Sequence, residues 1–537
     1  MRTAVLVFLA MGVAACSNST RHGGGGGGGR TARGGTGGSG GGAGGNGPPQ
    51  TVDVVDPSLP PGVVGGFDGG KPGTSGVTLV YPNPGALVPH DLAPIDVQWN
   101  GTSQVYRVTF AVDNGNKLRG YVKSADWIPP ADKWSWLQSV AGGHQIALSV
   151  DGAASIDANG TPQGPLVGSG AQPLGMSRDD ASGALFYFAT TGDQISGDGT
   201  LERLQVGAQK ADKYLNKTND GNGQCVGCHS LSRDGTRVAF TFLNLAGAGT
   251  GTTMSLGSVD ATNPAMQQAT ANTTAATSSF SPDAKQIVTA YNGKLSIRDA
   301  VTGALVSDLT TTGTAMFPDW SPDGSTIVFV RAATACTPGG LANFGQASIY
   351  AYGGSLVTLT SSGGTWGNEK VVLQAASGEN NYYPSVSPDG QWIAFTRASS
   401  STKSSWSVAN SACTGQDGSG LSYDNPSATV WVVPAAGGAP TQLAAANGAP
   451  MKTNSWPKWG PKADGDYLWL SFSSTREYGN VLTGPNAHHQ IWITAIPRAG
   501  GGSGDPSTPA VWFPFQDTMT KNHIGVWSVK VGSYTIP

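Results

Sequence analysis

Apolar and polar residues alternate with period two through much of the chain, the spacing of strands with one buried face. Between about Val77 and Val167 the alternation is carried by Ile95-Asp96-Val97-Gln98-Trp99, by Tyr106 to Val112 and by Gln145 to Val150. Clusters rich in Pro, Gly and Asn separate these runs, as connections between strands require. From about Ser182 the pattern becomes a repeat. Arg237-Val238-Ala239-Phe240, Gln286-Ile287-Val288-Thr289, Thr326-Ile327-Val328-Phe329, Trp392-Ile393-Ala394-Phe395 and Tyr467-Leu468-Trp469-Leu470 each follow a polar corner. A further alternating run then arrives in most units, as in Ile349 to Tyr352, Val430 to Val433 and Ile491 to Thr494.

The corners explain the repeat. Ser232-Arg233-Asp234-Gly235, Ser281-Pro282-Asp283-Ala284, Ser321-Pro322-Asp323-Gly324 and Ser387-Pro388-Asp389-Gly390 are type I turns, and Pro461 to Gly465 is a longer variant. Pro pre-sets φ at the second position, while Ser, Asp and Gly suit the first, third and fourth. The turn aspartates are 49, 40, 66 and 75 residues apart, which suits four-stranded blades with insertions in some loops. A sixth blade comes from both ends of this region. Ala184 to Phe188, Leu201 to Leu204 and Lys213 to Leu215 supply three strands, and Gly525 to Val531 supplies the inner one. Joining them closes the ring and removes the open edges.

Residues 182–537 resemble the TolB-type, WD-repeat-like β-propeller, on the strength of the five corners of S-x-D-G type, three of them with that sequence in full. Residues 77–167, opening on Pro82-Asn83-Pro84-Gly85, resemble bacterial Ig-like or fibronectin-type modules more loosely. The expected fold is therefore all-β: a small Ig-like β-sandwich, then a six-bladed β-propeller. The turn aspartates are taken for turn geometry, not chemistry.

Ahead of both domains lies a different kind of chain. Arg2 and an apolar run from Ala4 to Ala14 fit a secretory signal over residues 1–15. The run ends on Val13-Ala14-Ala15-Cys16, which resembles the lipobox of bacterial lipoproteins and implies a diacylglycerol on Cys16. From Gly23 to Gly47, 17 of 25 residues are Gly, so residues 16–76 are expected to be a disordered tether reaching about 40 Å. The expected location is the cell envelope, anchored by lipid at a membrane. A net charge of −3 with 12% charged residues argues against a nucleic-acid partner.

The chemistry-bearing stretch is Cys225-Val226-Gly227-Cys228-His229. C-x-x-C-H is the attachment signature of c-type haem, with thioethers from both thiols and an axial nitrogen from His229. Export supports it, since resemblance to cytochromes c implies attachment outside the cytoplasm. A local Cys225–Cys228 disulfide or dithiol is the alternative; zinc would need two more ligands. Aligning the repeats sets Leu231 level with Trp320 and Val386, so the motif heads the inner strand of the second blade. His523 heads the closing inner strand beside it and is the expected distal ligand to haem iron. Cys336 and Cys413 fall in equivalent loops of adjacent blades, and an oxidising compartment permits a bridge between them.

Two functions follow. One is a membrane-anchored monohaem c-type cytochrome on a propeller scaffold, passing electrons to a redox partner or sensing a ligand at iron. The other is a TolB-like binding or scaffold lipoprotein without haem, acting on envelope proteins. Outside the glycine tract no G-x-S-x-G elbow is present, and an enzyme is the less favoured reading.

Overall fold

The computed structural model describes residues 48–191, 199–216, 228–243, 252–258, 267–268, 275–335, 351–404, 419–422, 424–499 and 504–529. Cys16, Cys225, Cys336 and Cys413 lie outside them, as do residues 1–47.

The first domain is a two-sheet sandwich. One sheet carries Val77–Tyr81, Val97–Gly101 and Asp126–Trp127; the other is built around Val105–Val112, Lys117–Val122 and Gln145–Ala153. Val97, Trp99 and Trp127 from one face meet Val108, Phe110, Leu148 and Val150 from the other. A helix over Ala131–Ala141 covers one side, with Trp134 buried and its Nε1–H donated to the Leu92 carbonyl at 2.8 Å. The sandwich is longer than expected at both ends. Thr51–Val55 pairs in parallel with Lys117–Val122, a helix over Val63–Asp68 buries Val63 and Phe67, and Gln172–Met176 adds a strand beyond residue 167. The tether assigned to 16–76 therefore stops before Thr51: the alternating Thr51-Val52-Asp53-Val54-Val55 has an apolar face to bury, which a glycine tract lacks.

Six four-stranded sheets follow, one per blade. Their inner strands are Lys521–Ser528, His229–Leu231, Thr277–Phe280, Thr314–Trp320, Glu379–Val386 and Ser455–Trp459, for blades one to six. Blade one is closed as expected, with Lys521–Ser528 antiparallel to Ala184–Thr190. In blade four the strand after Thr326–Ala332 is Ser355–Ser362, not the run ending at Tyr352; Ala351–Tyr352 makes a separate two-stranded ribbon with Thr334–Ala335.

The corners hold the blades by one recurring set of bonds. Each Ser hydroxyl donates to the Asp two residues on, at 2.6, 2.7, 2.5 and 2.5 Å for Ser232, Ser281, Ser321 and Ser387. The same oxygen accepts the N–H five residues on, at 2.9–3.0 Å, so the hydroxyl ties the inner strand to the next. The sandwich docks on blade six. Trp512 N–H donates to Tyr81 Oη at 3.0 Å, Asn480 N–H to Gln98 Oε1 at 2.7 Å, and Tyr81 packs edge-on to Tyr478.

Candidate functional site

The six inner strands line a central channel in layers, one residue per blade in each. Counting three residues back from the residue before each corner gives the mouth: Cys228, Thr277, Phe317, Tyr383, Trp456 and Ile524. Two residues further along lies a polar layer, Ser230, Ser279, Asp319, Ser385 and Lys458, with Val526 completing it. An apolar layer containing Leu231, Phe280, Trp459 and Trp527 comes next. At the corner end, Arg233 Nη2 donates to the carbonyls of Trp320 at 2.8 Å and Val386 at 3.2 Å, reaching across from blade two to blades four and five. Arg233 stands where the next three corners carry Pro, and the channel is plugged there.

Asp319 organises the polar layer. Its carboxylate accepts the Val386 N–H at 2.7 Å and the Ser279 hydroxyl at 3.1 Å, with Arg233 at 3.7 Å and Lys458 at 4.0 Å. Burial pushes the Arg233 guanidinium below its ordinary pKa, and Asp319 works against that.

The mouth is built differently. Phe317, Tyr383, Trp456 and Ile524 have φ of +52°, +53°, +56° and +54°, left-handed values that bulky side chains seldom take. Each lies at a break in strand register, and Pro318, Pro384, Pro457 or Gly525 follows it. This is a bulge repeated in four consecutive blades, and bulges re-aim side chains. Here they turn three aromatic rings together. Tyr383 and Trp456 stack at 3.5 Å and 14°, and Phe317 meets Tyr383 edge-on at 4.7 Å. Thr277 Oγ1 is buried without a hydrogen-bond partner, beside a cavity of about 100 Å³.

Cys228 and His229 belong to this mouth. Cys228 is half-buried; His229 is buried, with Nε2–H directed at the Phe186 carbonyl, 3.2 Å away. Its Nδ1 is enclosed, away from solvent. Burial pushes its pKa down to about 4; Lys458 adds to the shift, and hydrogen bonding with the Phe186 and Ile524 backbone opposes it. A neutral imidazole anchored on a carbonyl by one nitrogen is the way proteins set a metal-ligating histidine. The donor therefore fits iron. Cys225, the other thiol of the motif, lies outside the described residues.

His523 goes elsewhere. Ile524, Val526 and Trp527 of its strand line the channel, whereas its own imidazole faces His489, with ring centroids 3.9 Å apart and planes at 40°. His489 Nε2 is 2.7 Å from Asp424 Oδ1, and His489 Nδ1 is buried without a partner. Burial holds His523 well below the ordinary histidine pKa, and His489, Lys521 and His488 add to this while Asp424 opposes it. Burial alone would raise Asp424, but the His489 imidazole brings it below the usual carboxylate range. His488 is tied down separately, to the carbonyls of Asn486 and Thr520. No motif or spacing tied Asp424 to these histidines, since it lies in an insertion outside the repeat.

No family model matches this chain, and no curated protein does. Among solved structures it is similar to a putative TolB from Agrobacterium tumefaciens, at 14% identity over 59% of this chain and 93% of that one, TM-score 0.33. TolB from Acinetobacter baumannii matches at 13% identity over 72% and 86%, TM-score 0.35. Kuenenia stuttgartiensis hydrazine synthase matches at 16% over 51% and 70%, TM-score 0.32. These scores are too low to carry an argument about function, and the propeller rests on the six sheets themselves. Among the described residues no helix is long and apolar enough to cross a membrane.

Proposed function

We propose that this chain is a binding or scaffold protein of the cell envelope that receives a segment of a partner protein at the Cys228 mouth of its propeller. The repeated bulge carries this reading. Four bulky residues held at positive φ cost about 1–3 kcal/mol each, a strain that persists where a clamp for a ligand needs it. Nothing in the turns or blade packing requires it, because blade three keeps a regular inner strand, with Thr277 opposite Ala290. With the corner end plugged by Arg233, the mouth is the end at which a partner would enter. A lipid on Cys16 would hold the propeller at a membrane, and a Cys336–Cys413 bridge would tie two neighbouring blades.

The test is photo-cross-linking in the native host. A photoreactive amino acid at Trp456 should give a discrete adduct, and one at Leu305, exposed on an outer strand, should give none. Equal patterns at both positions, or none at Trp456, would overturn the reading.

The second reading is a monohaem cytochrome bound through Cys225, Cys228 and His229. It is supported by the motif and by the buried His229 imidazole, held on the Phe186 carbonyl. Bound there, haem would supply one-electron redox chemistry, with Cys225 and Cys228 holding it and His229 offering a nitrogen to its iron. Haem staining of the denatured protein after co-expression with c-type maturation factors decides it; a colourless band rules it out.

A further inference from the structure

Beside the mouth, where blades five, six and one meet, stands a second group of donors that the binding reading does not use. His489 directs Nε2 at Asp424 Oδ1, 2.7 Å away; in the neutral ring the proton sits on that nitrogen and Nδ1 carries a lone pair. That lone pair is buried and unpartnered in a side chain only 7% exposed. Buried polar atoms in native proteins find partners, and one without a protein partner marks a place where something else binds. The His523 ring lies 3.9 Å from the His489 ring, centroid to centroid, and is itself buried.

The pair is held in place by its surroundings. Asn522, next to His523, donates its N–H to the His489 carbonyl at 2.8 Å. The Asn522 amide also reaches Gln490 Oε1 at 3.2 Å, and Gln490 donates to the Thr520 carbonyl at 2.8 Å. Such a network fixes the relative position of the two imidazoles before any ligand arrives.

We propose that His489 and His523 form a binding site for a divalent late-transition-metal ion, with Asp424 orienting His489 from behind. A ligating histidine that donates its other N–H to a carboxylate is the recurring arrangement in protein metal sites. Imidazole donors select copper, zinc and nickel over magnesium or calcium, and copper(II) binds most tightly in that series. No group of three or more His, Cys, Asp or Glu among the described residues converges on one point. The site is therefore a two-imidazole one, with its other coordination positions left to water or to a bound partner. It removes His523 from the haem reading and is independent of the partner-binding one.

The experiment uses the tag-free full-length mature protein, made without haem maturation and stripped by chelator. Copper(II) is titrated in and followed by electron paramagnetic resonance, with zinc(II) competition measured after gel filtration. One equivalent in a nitrogen-rich environment is expected, displaced by zinc. His489→Gln and His523→Gln should each weaken binding more than tenfold. Asp424→Asn should weaken it about 10–100-fold, the effect of losing the group behind a ligating histidine. His488→Gln should leave it unchanged, and circular dichroism checks that each variant is folded. Absence of stoichiometric binding, or binding that survives His489→Gln and His523→Gln, overturns the proposal.

Discussion

The corner of blade three contains a natural strain experiment. Gly235, Gly324 and Gly390 close their turns at φ of +70°, +76° and +71°, and Ala284 occupies the same place at +55°. The closing bond is alike in all four, with N···O distances of 2.9, 3.1, 2.9 and, for Ala284, 2.9 Å. An L-residue in the left-handed region loses about 1–2 kcal/mol, while glycine gives back about 0.5–1 kcal/mol through the freedom of the unfolded chain. Ala284→Gly should therefore stabilise the protein by about 0.5–1 kcal/mol. The reverse change, Gly390→Ala, should cost a similar amount. A Cβ at Gly390 would meet only Pro322 Cγ at 3.8 Å, an ordinary contact, so backbone strain alone decides the sign. Denaturant midpoints at constant slope, read by tryptophan fluorescence on both variants, measure the two shifts. Shifts of the same sign would refute the reasoning, because the two substitutions are opposite changes at equivalent positions.

Two further outcomes follow from buried charges. Burial, and then the Asp126 charge, push the Asp96 carboxyl up to about 6, against hydrogen bonds from Gln98 and Tyr478. A raised carboxyl favours the protonated folded state, so its stabilisation is complete below pH 4 and is lost as pH rises through 6. The loss is about 2–3 kcal/mol. Asp96→Asn should remove that dependence and exceed the wild type in stability at pH 8, and an unchanged pH profile would contradict it. Arg233→Met should destabilise by about 2–3 kcal/mol, since it strips the plug from two carbonyls and a cation from buried Asp319. Arg233→Lys should recover little of this, because one ammonium does not span the positions the guanidinium reaches; full recovery by Lys would show that charge alone matters.

What could be read from the sequence was what local chemistry encodes. Ser, Pro, Asp and Gly at fixed offsets specify a turn regardless of the rest of the chain, so the blades and their register were legible. The closing strand was legible too, because Gly525 to Ser528 lacked partners in its own unit and Ala184 to Thr190 lacked an inner strand. The plug left a visible mark, as Arg233 is the one departure from Pro at the second position of the four-residue corners. By contrast, Thr51 to Val55 was hidden by its glycine-rich neighbourhood, and its pairing with Lys117 to Val122 is a contact across 66 residues. Asp424 and His489 are 65 residues apart and outside the repeat, so no spacing pointed to their 2.7 Å contact.

The mouth lies between these cases, and it shows how a repeat conceals a site. Phe317-Pro318, Tyr383-Pro384 and Trp456-Pro457 recur at one position of the repeat, three residues before Trp320, Val386 and Trp459. A proline inside a strand signals a bulge or an edge, and these are the innermost strands, with no edge role except toward the channel. The three pairs together therefore specified the bulge and the direction in which the rings turn. Aligned on the same position, the C-x-x-C-H stretch places Cys228 level with Phe317, Tyr383 and Trp456, and His229 level with the three prolines. The motif thus replaces the aromatic–proline step in blade two. That substitution puts a thiol into the mouth and a neutral imidazole directly behind it, hydrogen-bonded to Phe186 of the neighbouring blade. Anything bound at the mouth would meet both the aromatic rings and the motif, so the proposed partner capture and any chemistry of the motif would share one surface.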